Sequence, residues 1–547
     1  MSDDTSRTKP ANDEGPAPSW RQRASAALTS LGLGVLGTLP FAWVLTLTPM
    51  TRDAAIWLDR SDWQSPKLQE WLLETQHFNV GFRPVTGLSY LVNEVLGGGV
   101  LAYRLTDFGL HLGAVGLVHA LVRRWAPDRS PWAATAGAAV LALHPMVGIV
   151  LPHLARRGYA LASTLAMLGL WLLSRNQLAA SVVGIAALAA GALANEAAYV
   201  AFGVATLALA SRRRFQELGA MGLTIAALLA WRISVIGGLG GYAAATDRAG
   251  RVGTIGLATW STLLPVGMPS GGAEGALLPS APFLAASFAI VAALVVAVVQ
   301  AVRQPEPAPA HQPTWNRPVL WALAWLAGLT AVYLPNGVWF PRQVYMLVPP
   351  LAVLVGLLAG LGLGRPGPQR WPARIAAGAV LLLTLGRVTV FPHATHRTAW
   401  EQTDRVTTQL MAAAKKQPKK QEIVLVLPFA KRGGQAALKA REGAKRRRQD
   451  PLGTRVSYQW ASGRIGRRRL DLAAMYLHDP FHEGPVLKVE AVDGHDRTWR
   501  LTLTDPGAHW SPEADLDDSL DGASLTVTVP EGAMFWVDDG IEGRWIE

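Results

Sequence analysis

The stretch from Met50 to His111 decides how the chain is read. It opens Thr51-Arg52-Asp53-Ala54-Ala55-Ile56 and runs through the acidic and aromatic segment Trp57 to Glu74. It then reaches Phe82-Arg83-Pro84-Val85-Thr86-Gly87-Leu88-Ser89-Tyr90-Leu91-Val92-Asn93. It closes on Tyr103-Arg104-Leu105-Thr106-Asp107 and His111, already inside an apolar run. Charged groups wedged between strongly apolar segments are expensive, and in a membrane setting they mark a functional site by default. These groups are therefore expected to line a reaction site at the membrane surface, with the rest of the chain as its scaffold.

Composition supports that setting. Half of the 547 residues are hydrophobic and only 16% are charged, too small a charged share to cover a soluble protein of this length. Apolar runs of about the 20 residues needed to cross a bilayer core recur along the chain. The formal charge of +12 does not point to nucleic acid, because the basic residues mostly punctuate the ends of apolar runs, as membrane orientation requires. With no cysteine, disulfides, thiolate nucleophiles and thiolate metal sites are excluded.

Residues 1–23 read as a polar, disordered cytosolic tail. Arg21 and Arg23 precede a first span from Ala24 to Leu47, an uncleaved signal anchor. It leads to a large outer loop over residues 50–100, in which Phe82 to Leu96 is expected to form an amphipathic helix near the membrane surface. Further spans follow at Val100 to Val122, Pro131 to Leu151, the segment ending at Ser174-Arg175, Ala179 to Leu193, Glu196 to Ala210 and Leu218 to Ile236. Ala281 to Val302, Val319 to Leu334, Tyr345 to Leu363 and Ile375 to Phe391 complete about eleven spans. A surface helix is expected around Ile255 to Val266. Inner segments carry Arg123/Arg124, Arg175, Arg212 to Arg214, Arg303/Arg317 and Arg365 to Arg374, which orient the bundle with the N-terminus cytosolic. Outer arginines run against that bias: Arg156/Arg157, Arg248/Arg251 and Arg342. An anionic lipid phosphate is their natural partner.

Beyond the spans (residues 24–397) a helix and charged linker occupy 398–421, and 422–547 read as a small extracytoplasmic α+β or mostly β domain. Glu422 to Pro428 has the pattern of a buried strand, and Val486 to Val492, Trp499 to Thr504 and Ser524 to Val529 alternate as half-exposed strands do. No repeat of fixed period is present.

Several segments then fall into register: Phe82-Arg83-Pro84-x-Thr86 with Ser89-Tyr90 and Asn93, Tyr103-x-x-x-Asp107-x-x-x-His111, Ala142-Leu143-His144-Pro145, Arg157, Asn195-Glu196-x-Ala198 and Arg342-x-x-Tyr345. Together they resemble the GT-C superfamily of membrane glycosyltransferases, closest to the O-mannosyltransferase branch that often carries tetratricopeptide repeats. The likeness covers Phe41 to Ala414. It implies an inverting enzyme that takes a polyprenyl-phosphate-linked sugar as donor and works at the outer face on a protein, lipid or glycan acceptor. An acid of the first outer loop is then the catalytic base, and Asp53 corresponds to it. A carboxylate takes the proton of the attacking hydroxyl while cations stabilise the departing lipid phosphate.

On this reading Glu196 is a second catalytic candidate, and Arg83, Arg157, Arg342 and Tyr345 bind the donor. Tyr90, Asp107, His111, His144 and His153 line the site. The pattern departs from the family where Asp53 is flanked by Arg52 and Ala54, where His144-Pro145 is followed by Met146, and where Tyr159 replaces a further acid. Asp59, Asp62 or Glu196 then stand as substitutes, and a divalent cation stays open as a cofactor. The alternative is a catalytically degenerate relative that binds lipid-linked glycan or scaffolds an envelope complex.

Bland readings stand beside these. Arg83 also suits a snorkelling anchor, His111 and His144 suit helix-to-helix hydrogen bonds, and Glu196 suits a helix N-terminus. His393/His396 and His478/His482 lack a third metal ligand.

Overall fold

The computed structural model describes residues 19–45, 82–96, 100–127, 129–153, 156–175, 177–237, 259, 263, 289–299, 318–333, 341–363, 371–390, 405 and 409. In the tail it describes 423–430, 470–478, 486–504, 509–510, 520–521, 524–531, 533–538 and 543–546. Chain order gives α1 (Trp20–Thr38), α2 (Pro84–Val95), α3 (Val100–Trp125), α4 (Pro131–Leu143), α5 (Val147–Val150), α6 (Arg157–Leu173) and α7 (Leu178–Ala194). Then come α8 (Tyr199–Ser211), α9 (Phe215–Ile236), α10 (Ala289–Val299), α11 (Pro318–Tyr333), α12 (Pro341–Val344), α13 (Val348–Leu363) and α14 (Trp371–Val390).

Local chemistry sets the ends of these helices. Ser19 and Gln22 form a capping box at the start of α1, each side chain accepting from the other's backbone N–H. Proline opens α2, α4, α11 and α12, where its missing N–H would have no helical partner anyway. Gly237 closes α9 at φ 76°, its N–H donating to Ile233 O.

Among the described residues, four helical stretches are long and apolar enough to cross a membrane, and seven shorter ones are apolar along their length. These eleven stand at the eleven positions read as spans. Large apolar side chains such as Leu28, Val182, Leu223 and Leu382 face outward, as a lipid-solvated surface allows. The chain is a polytopic α-helical membrane protein.

Helix α13 is the central post, buried along nearly its whole length. Glycines let neighbouring helices approach to backbone contact. A Cβ on Gly169 of α6 would lie 2.8 Å from Gly184 O of α7, one on Gly137 of α4 would lie 2.6 Å from Ala352 O of α13, and one on Gly37 of α1 would lie 2.0 Å from Ala142 O of α4.

One expected span is broken. The run from Pro131 to Leu151 stops being helical at Leu143, because Pro145 disfavours helical backbone at the residue before it. His144 is extended, at φ −66° and ψ 133°, and the chain resumes as the single turn α5. The amphipathic helix expected over Phe82 to Leu96 is α2, with Phe82, Thr86, Tyr90 and Asn93 turned inward and Val92, Val95 and Leu96 outward. Of the helix expected around Ile255 to Val266, Thr259 and Leu263 are described, helical and buried in the protein.

The tail is mostly β. One sheet has the order β5-β2-β1-β8-β9, with β1 (Ile423–Ala430) parallel to both β2 (Leu470–His478) and β8 (Met534–Asp538). Its edges are β5 (His509–Trp510) and β9 (Gly543–Ile546), both antiparallel to their neighbours. The second sheet is antiparallel, in the order β3 (Leu487–Ala491), β4 (Thr498–Leu503), β7 (Ser524–Thr528) and β6 (Leu520–Asp521). Leu487, Leu501, Leu525 and Val527 of this sheet share one core with Phe535 and Val537 of β8, so the second sheet packs against β8 of the first.

Candidate functional site

Helices α4, α7 and α9 finish at the end of the bundle where α3, α6 and α8 begin, and two ionic groups sit there. The first is closed. Arg157, the first residue of α6, is 1% exposed. Its Nε donates to Asp107 Oδ1 at 2.5 Å, Nη1 donates to Asn93 Oδ1 at 2.6 Å and to Ser89 O at 3.1 Å, and Nη2 donates to Tyr103 O at 2.9 Å. The guanidinium carbon also lies 4.3 Å from the Tyr90 ring centroid and 5.3 Å from that of Tyr103. One side chain thus ties α2, α3 and α6 together. Arg104, one turn before Asp107 on α3, is also fully buried and donates Nη1 to Pro152 O at 2.5 Å. It lies within electrostatic reach of both Asp107 and Arg157.

The second group is more open. Arg83 stands just before α2, and Glu196 lies in the single 3-10 turn Glu196–Ala198 between α7 and α8. Asn195 fixes that turn by accepting from Ala197 N–H at 3.1 Å. Arg83 grips the carboxylate with both edges of its fork, Nη2 to Oε1 at 2.7 Å and Nε to Oε2 at 3.0 Å. The two side chains keep 14% and 32% of their surface exposed. Tyr159 lies 5.9 Å from the Arg83 guanidinium. Arg232, buried near the end of α9, acts on the same carboxylate through space and donates to Phe82 O at 3.5 Å. Phe82 packs edge-on against Trp231 with centroids 5.1 Å apart, and Thr86 Oγ1 donates to Ala194 O at 2.8 Å. Helix α2 therefore bridges the two groups, its start held by the open one and its far end by the closed one.

Two histidines are placed nearby. His111 Nδ1 and Tyr345 OH are 2.9 Å apart and both residues are fully buried. The Nδ1 of His144 accepts from Met146 N–H at 3.2 Å, which leaves the proton on Nε2 to donate to Leu263 O at 2.8 Å. His144 therefore fastens Leu263 to the break after α4. His153 is half-buried in the turn after α5 and carries backbone hydrogen bonds with Val150 and Arg156.

The candidates drawn from the sequence thus meet in pairs: Arg83 with Glu196, Arg157 with Asp107 and Tyr90, and His111 with Tyr345. Arg342 lies in α12 three residues before Tyr345. Asp53, Asp59, Asp62, Arg248, Arg251, His393, His396 and His482 lie outside the described residues, and His478 ends β2, a strand. Sequence reading missed Arg232, although an arginine inside an otherwise apolar span is itself the signal of a site. Among the described residues no three His, Asp or Glu side chains gather as metal ligands. Both carboxylates here, Asp107 and Glu196, are held by guanidiniums, so this part of the site does not fit a divalent cation.

No family model and no curated protein sequence matches the chain. Among solved structures it is similar to ArnT from Cupriavidus metallidurans in the apo state, with 13% identity and a TM-score of 0.43 over 82% of this chain and 86% of that one. The same protein bound to undecaprenyl phosphate gives 12% and 0.42 over 85% and 96%. The archaeal oligosaccharyltransferase AglB from Archaeoglobus fulgidus, in complex with an inhibitory peptide and a dolichol-phosphate, gives 12% and 0.43 over 82% and 64%. Likeness this loose assigns no role to any residue.

Proposed function

We propose that the chain is an inner-membrane glycosyltransferase of the GT-C kind. It moves a sugar from a polyprenyl-phosphate carrier to an acceptor hydroxyl of a protein, lipid or glycan outside the cytoplasm. The observation that carries this reading is the gathering of Arg83, Arg104, Arg157 and Arg232 with Asp107 and Glu196 at one end of an otherwise apolar bundle. Ionised groups at this depth are costly, and an anionic substrate is what such an arrangement suits.

The division of labour follows from exposure. Arg83 and Arg232, beside the more open carboxylate, take the lipid phosphate and stabilise the charge that grows on it as the glycosidic bond breaks. Arg157 has its guanidinium engaged by four hydrogen bonds. We therefore move it from the phosphate-binding role to that of a positioning residue, which holds α2 and with it Arg83. Asp53 is the general base, taking the proton of the acceptor hydroxyl as that oxygen attacks the anomeric carbon from the side opposite the phosphate. A single displacement of this kind inverts the anomeric centre. Tyr345, fully buried with its hydroxyl against His111, likewise moves from donor binding to bracing α3 against the turn that follows Arg342. The N-terminus is cytosolic and the β tail extracytoplasmic, as the arginine pattern of the short loops suggests.

The test is to incubate purified protein in nanodiscs with polyprenyl-phosphate-linked sugars and acceptor, and to follow loss of the donor and gain of the glycosylated product. Asp53→Asn should lower turnover by about 10²–10⁴-fold while donor binding persists. A second reading, a binder of lipid-linked glycan without turnover, draws on both carboxylates being held by arginines. Donor bound by the native chain but never consumed, with Asp53→Asn indistinguishable from it, would decide for that second reading.

A further inference from the structure

We infer that Glu196 occupies the seat of the donor phosphate in the empty enzyme, and that substrate loading exchanges this carboxylate for the phosphate on Arg83. The inference rests on the lipid-phosphate reading above and adds a built-in competitor to it.

The contact has the geometry a phosphate would adopt. Nη2 and Nε of Arg83 reach the two carboxylate oxygens at 2.7 and 3.0 Å, the same parallel two-point grip that guanidinium makes on phosphate oxygens. The pair is also accessible. Glu196 keeps 32% of its side-chain surface exposed, whereas Asp107 in the closed group keeps 3%. An incoming anion can therefore reach the first carboxylate and not the second.

The scaffold allows the exchange. Glu196 stands in one 3-10 turn rather than within a long helix, and the Asn195 cap holds the backbone of that turn without using the Glu196 side chain. Thr86 fastens the start of α2 to Ala194 O, so Arg83 stays in place when its partner swings away. Charge is conserved as well. A lipid-phosphate sugar is a phosphodiester with one negative charge, so one monoanion replaces another beside Arg83 and Arg232. After transfer the product is a phosphate monoester, more strongly charged and better held. The return of Glu196 to Arg83 then competes with it and favours release. No covalent bond forms or breaks in the exchange.

A competitor that is removed must tighten binding of what it competes with. In nanodiscs of neutral lipid, labelled long-chain polyprenyl phosphate should bind Glu196→Gln about tenfold more tightly than the native chain, which corresponds to about 1.4 kcal/mol. Product should also leave that variant more slowly. Glu196→Asp, one methylene shorter and unable to keep both contacts, should shift in the same direction, which guards against a folding defect peculiar to the glutamine. Arg83→Gln should lose binding. Native protein that binds the lipid while both Glu196 variants bind it equally or less tightly overturns the exchange and leaves the donor reading intact. Failure of every folded variant and of the native chain to bind overturns both.

Discussion

Asp107→Asn is the sharpest perturbation of the closed ionic group. Asp107 and Arg157 keep 3% and 0% of their side-chain surface exposed, so solvent cannot replace either partner. The substitution keeps the shape and one acceptor but removes the charge that offsets Arg157, with Arg104 also close by. Removing one partner of a buried pair destabilises by about 3–5 kcal/mol, because the remaining charge is left buried and uncompensated. The second guanidinium argues for the upper part of that range. Unfolding of the purified protein by SDS titration reads the loss. The loss should be accompanied by faster amide exchange over Pro84–Val95, since Arg157 donates to Ser89 O and Asn93 Oδ1 and shares with the Asn93–Thr106 contact the fastening of that end of α2. The decisive comparison is the double variant Asp107→Asn with Arg157→Gln, in which two neutral amides can bond each other. It should be more stable than the sum of the single changes by about 0.5–3 kcal/mol. Additive losses, or a single-variant loss below 1 kcal/mol, would refute the view that this pair is a buried charge-coupled fastening.

Gly37→Ala should lower the unfolding midpoint, since its Cβ would fall 2.0 Å from Ala142 O and overpacking of this sort costs about 1–3 kcal/mol. Gly32→Ala on the same helix has no atom within 4 Å and should be neutral or slightly stabilising. Tyr345→Phe deprives His111 Nδ1 of its partner and should cost about 1–3 kcal/mol of unfolding free energy, with donor affinity unchanged in the lipid-binding assay. Replacing Arg83→Met and Glu196→Leu together should leave stability within about 1 kcal/mol of the native chain, since a partly exposed ion pair contributes little. Glycosyl transfer should be abolished, and a double variant that keeps turnover would remove Arg83 from the site.

Hydropathy made the spans legible because a bilayer imposes a length and an apolar composition that a sequence carries openly. It failed at Pro131 to Leu151, where composition stays apolar across the break and only the His144-Pro145 step reports it. In the tail, β3, β4 and β7 show alternation because one face of their sheet is wet, as the exposed Lys488, Arg500 and Thr526 indicate. Strand β2, Leu470–His478, pairs in parallel with β1, and its run Leu-Asp-Leu-Ala-Ala-Met has no period of two to give it away. In the site, motifs marked which residues matter but not which residue meets which. Arg157 read as a phosphate ligand because charge type was visible and its enclosure by Asp107, Asn93 and Tyr103 was not. Arg232 escaped notice because one charge in a long apolar run hardly moves a window average, although it falls four residues after Leu228 on the only buried stripe of α9.

The two ends of the bundle use arginine for different purposes, and that difference bears on where an anionic ligand would sit. At the far end, Arg124 donates to Ser174 O at 3.1 and 2.7 Å and Arg214 to Leu173 O at 2.9 Å, both at the C-terminus of α6. Arg129 and Arg374 donate to Gly360 O and Gly362 O at the C-terminus of α13. The last carbonyls of a helix lack partners and carry partial negative charge, so these arginines meet a need that the helices themselves create. At the ionic end, Arg83 and Arg157 meet carboxylates from other parts of the chain. Each such pair must be desolvated, and folding alone would be served as well by apolar side chains. Helix termination and the local Arg214–Glu217 pair, three residues apart at the start of α9, account for the first set, whereas Arg83–Glu196 and Arg157–Asp107 join residues 113 and 50 positions apart and are not explained that way. The charge concentrated around α2 therefore calls for an anionic partner, and the proposed function supplies one, since a phosphate on a lipid tail is the anion that a bundle solvated by lipid would meet at that depth.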